Sequence, residues 1–115
     1  MKLPGLEAAV VPEAKITRYL LSLTHPDGRH KAAFFLAFGF TLDAWLAVAD
    51  ALLKHASDHE VAAMEHTPFG TRYTIDGTIE TPDGRAPRIR SVWFVDSGQT
   101  TPRFINGISA QRSRR

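Results

Sequence analysis

The sequence predicts an α+β fold, with three N-terminal helices packed on one face of a three- or four-stranded antiparallel meander. Two observations carry this. Apolar residues recur every three or four positions up to about residue 55, then every second position from Thr71 onward. Turn-forming clusters separate these stretches, at His25-Pro26-Asp27-Gly28, Thr81-Pro82-Asp83-Gly84-Arg85 and Ser97-Gly98-Gln99.

The first helix is expected over residues 12–23. Pro12 suits a first helical position, and Ile16, Tyr19, Leu20 and Leu23 make one apolar stripe. The second runs from about Arg29 to Phe38, is dense in phenylalanine and stops at Gly39. The third starts under a Thr41 cap, with Asp43 in its first turn. Its apolar face is Leu42, Trp45, Leu46, Ala49, Leu52 and Leu53, and it is expected to end between His55 and His59. Residues 57–68 read as a loop with a short strand at 61–64.

The two long strands follow. Tyr73, Ile75, Gly77 and Ile79 alternate with polar residues, as do Ile89, Ser91, Trp93 and Val95 with Arg88, Arg90, Val92 and Phe94. A loop centred on Gly84 would pair Ile79 with Ile89, Ile75 with Trp93 and Tyr73 with Val95. The same register sets Glu80 opposite Arg88 and Thr78 opposite Arg90. A last strand is expected over residues 103–108.

With 115 residues, the chain has room for one domain, expected to be ordered over about residues 3–108 with a basic, flexible tail at 109–115. A hydrophobic share of 43% excludes a disordered chain, and the absence of cysteine excludes disulfides, iron–sulfur ligation and thiolate zinc. No apolar run reaches spanning length and no signal core opens the chain. A cytoplasmic protein that does not engage a membrane is the expectation, with secretion inside a larger polypeptide the alternative. Charge is uneven. Residues 1–84 carry seven basic and eleven acidic side chains, whereas residues 85–115 carry seven arginines and Asp96 as the one acid. Such a segment attracts phosphate, although Arg112, Arg114 and Arg115 sit in the terminus.

The densest polar cluster is His25 to Lys31. Gly28 followed by Arg29, His30 and Lys31 places cations beside the free N–H groups of a helix start, an arrangement suited to phosphate. Histidine changes charge near neutral pH, so His30 is a candidate proton carrier. The plainer reading is three solvated cations, which at a helix N-terminus oppose the dipole. Arg88 and Arg90 lie on the non-core face of their strand and could clamp a phosphodiester. Cross-strand pairing with Glu80 explains Arg88, but in the expected register Arg90 has no carboxylate opposite. His55, His59 and His66 with Asp58, Glu60 and Glu65 are too scattered for a ligand set, and neither a metal nor another cofactor is expected. No Gly-x-Ser-x-Gly, Walker or dinucleotide pattern occurs.

Several runs resemble a bacterial family known as a domain of unknown function. They are Leu3-Pro4 with Ala9-Val10-Val11, His25-Pro26-x-Gly28-Arg29-His30-Lys31-Ala32, Phe69-Gly70-Thr71-x-Tyr73-x-Ile75-Asp76-Gly77, Gly84-Arg85, Arg90-Ser91-Val92-Trp93 and Pro102-Arg103. The resemblance covers roughly residues 3–108. It implies a small protein acting beside another small protein, similar to the ends of large polymorphic toxins. The order of elements is also similar, at the level of fold, to the barnase/EndoU/colicin/RelE-type ribonuclease superfamily. That likeness implies metal-independent RNA cleavage and carries over to His30, Lys31 and Arg90 in catalysis, with Thr71; the reading of the residues above adds Gly28, Arg29 and Arg88 to Thr71 at phosphate. A second base is not evident; His66 and Glu65 are candidates by proximity.

Three functions follow as expectations: a metal-independent endoribonuclease of the toxin type, a non-enzymatic protein-binding or immunity-type module, and a nucleic-acid-binding domain without catalysis. RNA and a small protein are the expected partners. No exposed aromatic platform stands out, which speaks against stacking on single strands.

Overall fold

A computed structural model describes residues 1–25 and 29–109, the last two by backbone alone. After a 3₁₀ turn at Leu6–Ala8 come α1 (Glu13–Lys15), which continues as a π-helical turn over Ile16–Leu20, then α2 (Arg29–Ala37) and α3 (Trp45–Asp58). Four strands follow: β1 (Val61–Thr67), β2 (Gly70–Thr78), β3 (Arg88–Asp96) and β4 (Arg103–Ser109). They form one antiparallel sheet in the order β1-β2-β3-β4. The α+β class, with helices preceding the meander, is as the sequence predicts. No helix among the described residues is long and apolar enough to cross a membrane.

The strand alternation buries Ile75, Ile89, Ser91 and Trp93 on one face, where Phe35 of α2 and Val48 and Leu52 of α3 cover them. Trp93 and Phe104 meet edge to face at 5.5 Å in the centre of this layer. Ile16 and Leu20 are fully buried beside them. The π turn, closed by the Leu21 N–H on the Ile16 carbonyl at 2.8 Å, sets both on the core side.

Four expectations are corrected. The β2–β3 register is displaced by two residues: Tyr73 faces Trp93, Ile75 faces Ser91, Asp76 faces Arg90 and Thr78 faces Arg88. A two-residue displacement leaves every side chain on its face, so alternation alone could not distinguish the two registers. The loop is centred on Asp83, whose carboxylate accepts from the Arg85 backbone N–H at 3.0 Å and the Thr81 hydroxyl at 2.8 Å. Second, β1 is a full strand through Thr67 rather than a short one ending near Met64. Third, the buried stripe of α3 is Val48, Ala49, Leu52, His55 and Ala56, while Leu42 and Leu46 are exposed. Leu23, placed in the first helix's stripe, is likewise exposed. Fourth, α3 begins at Trp45 rather than under Thr41, while its end at Asp58 falls between His55 and His59 as expected. Thr41 accepts from the Ala44 N–H at 3.3 Å in the turn before it.

The two sheet edges differ. Along β4, Val10 forms a parallel bridge: its N–H donates to the Pro102 carbonyl at 3.0 Å, and its carbonyl accepts from the Phe104 N–H at 2.9 Å. Beside β1, only Met1 among the described residues supplies a backbone partner, its carbonyl accepting from the Val61 N–H at 2.7 Å.

Candidate functional site

The cationic residues singled out in the sequence do not share a pocket. Arg29, His30 and Lys31 occupy the first turn of α2, on the helical layer, with His30 exposed. Lys31 sets its ammonium 5.2 Å from the Tyr19 ring centroid, a cation–π contact. Arg90 alternates with the buried Ile89 and Ser91 and therefore projects from the opposite face of the sheet. Gly28, assigned to phosphate from the sequence, lies outside the described residues, as do the last six positions of the tail.

On that opposite face three arginines, Arg72, Arg90 and Arg103, are matched with acids. Arg90 donates to both oxygens of Asp76, at 2.8 and 3.1 Å. The Arg90 hydrogen bonds hold the Asp76 carboxyl below the usual carboxylate range, and the pair raises Arg90 in turn. Arg72 pairs with Glu65 at 3.2 Å, and Arg103 with Asp96 at 3.1 and 3.2 Å. The expectation that Arg90 lacks a carboxylate is thus corrected by the displaced register. Glu80 reaches Lys54, at 3.6 Å, rather than Arg88. Arg88 stands exposed opposite Thr78, and its charge also helps lower the Asp76 carboxyl, although it forms no ion pair among the described residues.

A cleft of about 690 Å³ opens on the helical face, at the end of the sheet beyond the core. His66 and Thr67 of β1 and Thr71 and Tyr73 of β2 line it. The 3₁₀ turn forms one wall and the Ser97–Thr100 turn the other. Gly5 brings these walls together, because a Cβ there would collide with the Thr100 carbonyl. Thr71 and His66 are directly opposed across β1 and β2, and Nδ1 of His66 lies 3.1 Å from the Thr71 hydroxyl. Nε2 of His66 has no partner among the described residues. Thr71, taken from the sequence as a phosphate contact, is therefore coupled to a histidine. His30 and Lys31 are not among the residues lining this cleft. The signal for His66 was present in its position one pair beyond a tight turn, but it is visible only once β1 is known to reach Thr67.

Two further histidines, the buried His55 and the more exposed His59, bond to the sheet. His55 lies 3.0 Å from the Ser91 hydroxyl and 3.1 Å from the Gly77 carbonyl, and burial pulls it down to about 4. His59 bonds the Thr78 carbonyl at 2.9 Å. No group of three or more His, Cys, Asp or Glu that could hold a metal occurs among the described residues.

Residues 2–110 match the family described as Domain of unknown function (DUF6883), and the chain belongs to it. Comparison with curated protein sequences finds no match. Among solved structures, the chain is similar to one in a contact-dependent growth inhibition toxin–immunity protein complex from Klebsiella pneumoniae 342. The TM-score is 0.71 at 17% identity, covering 90% of this chain and 95% of that one. At that identity the likeness concerns the fold.

Proposed function

We propose that the chain is the toxin-type member of a toxin–immunity pair and cuts RNA without a metal, in the cleft around His66 and Thr71. The observation that carries this is the imidazole held against a hydroxyl in the lining of a cleft to which Thr67, Ser97 and Thr100 also contribute. The fold shared with a chain of a toxin–immunity complex supports the class.

The chemistry follows from hydrogen-bond roles. With Nδ1–H of His66 donating to Thr71, Nε2 carries a lone pair and can take the proton of a ribose 2′-hydroxyl. The 2′-oxygen bonds to the adjacent phosphorus and the bond from phosphorus to the 5′-oxygen breaks. A 2′,3′-cyclic phosphate forms, and the leaving 5′-oxygen takes a proton from solvent. The Thr71 O–H, no longer needed as donor to histidine, is available for a phosphate oxygen. In this reading His66 replaces His30 as the proton carrier, and Arg90 stays with Asp76.

The test is RNA cleavage by purified protein in the presence of a chelator. Cleavage that falls at least about a hundredfold in His66→Ala, with unchanged circular dichroism, supports the assignment. Equal cleavage, or none in either protein, removes it. A second reading, a non-enzymatic module for a partner protein, draws on the largely unpaired outer edge of β1. A stable complex with an adjacent-gene product, together with inertness toward RNA, would select it.

A further inference from the structure

The turn between β1 and β2 presents Phe69 with 78% of its surface exposed, more than any other large apolar side chain of the described residues. Phe69 is thus an exposed aromatic that the sequence alone did not single out. Exposing a phenylalanine forgoes the burial that ordinarily stabilises it, so a mobile loop tip would be unremarkable only if it could fold the ring away.

This turn is instead tied down on every side. The Thr67 hydroxyl oxygen accepts from the N–H groups of Phe69 and Gly70, both at 3.2 Å, and its O–H donates to the Gly70 carbonyl at 2.9 Å. The Phe69 carbonyl accepts from the Ser97 N–H at 2.9 Å, which fastens the tip to the β3–β4 turn. Gly70 has φ +151°, and a Cβ there would run into the Val95 carbonyl and the Phe94 ring. The backbone that displays Phe69 is therefore fixed by both neighbours. Thr67 and Gly70, which flank the two-residue tip, both line the cleft, and His66 lies next along β1.

From this we infer that Phe69 is a stacking platform for an unpaired base next to the phosphate held at His66 and Thr71, so that the substrate is single-stranded or looped RNA rather than a duplex. The inference rests on the reading of the cleft as an RNA-cleaving site. An exposed aromatic ring on a fixed turn, whose neighbours Thr67 and Gly70 line a cleft with the hydroxyls of Thr71, Ser97 and Thr100 beside Glu7 and Asp96, suits a base, because every nucleobase offers a π-face and stacking is tolerant of sequence. A duplex keeps its bases inside and gives the ring nothing to stack on.

Binding is measured separately from cleavage, using a single-stranded oligonucleotide with 2′-fluoro groups, which cannot form the cyclic phosphate, and a hairpin duplex of the same composition. Wild-type protein and the Phe69→Ala, Phe69→Leu and Phe69→Trp variants are compared by fluorescence anisotropy, with circular dichroism as a check on folding. The expected result is single-strand binding weakened about tenfold or more in Phe69→Ala and Phe69→Leu and retained in Phe69→Trp, with duplex binding weaker and insensitive to all three. If wild-type cleaves RNA but Phe69→Ala binds and cleaves the single strand equally well, the stacking role is wrong and the cleft assignment stands. Retention of binding by Phe69→Leu would mark a general apolar contact and overturn the platform. If wild-type neither binds nor cuts RNA, both fall. A partner-protein complex lost specifically in Phe69→Ala would then make the residue a protein anchor.

Discussion

The Ser91 hydroxyl lies 3.0 Å from Nδ1 of His55 and at the same time accepts the Trp93 indole N–H at 2.9 Å. The roles in this buried chain are determined. The Gly77 carbonyl can only accept, so Nε2 of His55 carries the hydrogen. Nδ1 is then bare and receives the Ser91 O–H, which leaves the serine oxygen open to Trp93. All three side chains are satisfied with His55 neutral.

Acid should therefore unfold the protein through His55. Its pKa is drawn from 6.5 to about 4, chiefly by desolvation and further by the facing His59, while Asp76 pulls the other way. Between those values the unfolded chain binds a proton that the folded chain refuses. This contribution to stability is complete above about pH 6.5 and is lost as pH falls toward 4, amounting to roughly 3 kcal/mol. Urea titrations at pH 7, 5.5 and 4.5 should show a falling midpoint, with a shallower decline in His55→Gln.

Removing the bridging hydroxyl should leave two buried groups without partners. Ser91→Ala strands the indole N–H and the His55 lone pair, and a cost of about 1–3 kcal/mol is expected. Thermal unfolding checks this, and a variant as stable as the parent would mean that water enters the site.

Gly77 should not tolerate a side chain. An added Cβ would stand 2.5 Å from the His59 ring, so Gly77→Ala must displace that ring from the Thr78 carbonyl. The expected result is a lowered melting temperature together with a changed His59 imidazole resonance in the NMR spectrum.

Breaking the Arg90–Asp76 pair should have a small effect on stability. Arg90 is nearly half exposed, so solvent screening limits the loss in Arg90→Ala to about 1 kcal/mol or less. The Asp76 carboxyl should rise toward the usual carboxylate range, which a carbon-detected NMR titration would follow. RNA cleavage should be unchanged, in contrast to its loss in His66→Ala.

The sequence conveys the helices-then-strands order because periodicity is a local property, and Trp93, Ile89 and Ile75 fall on the core face as their alternation requires. Register is not local. The charge pair Asp76–Arg90 and the glycine opposite Ile89 separate two arrangements that hydrophobicity treats as equal. The polar composition of residues 57–68 concealed β1, because an edge strand has few buried positions to betray it. With β1 went the hairpin that joins His66 to Thr71 and lifts Phe69 into view. In the sequence His55 stands near the end of α3 with no partner in view; only the tertiary fold supplies the serine and carbonyl that make its burial tolerable.

The outer side of β1 carries one further consequence. Val61–Thr67 contains no lysine and no proline, and Ala62, Ala63 and Met64 are exposed along it. Such a margin invites the backbone of any neighbouring molecule to join the sheet, so concentrated solutions should scatter light and lose monodispersity. A lysine at position 63, introduced as Ala63→Lys, is the smallest change expected to keep the protein dispersed without disturbing its interior.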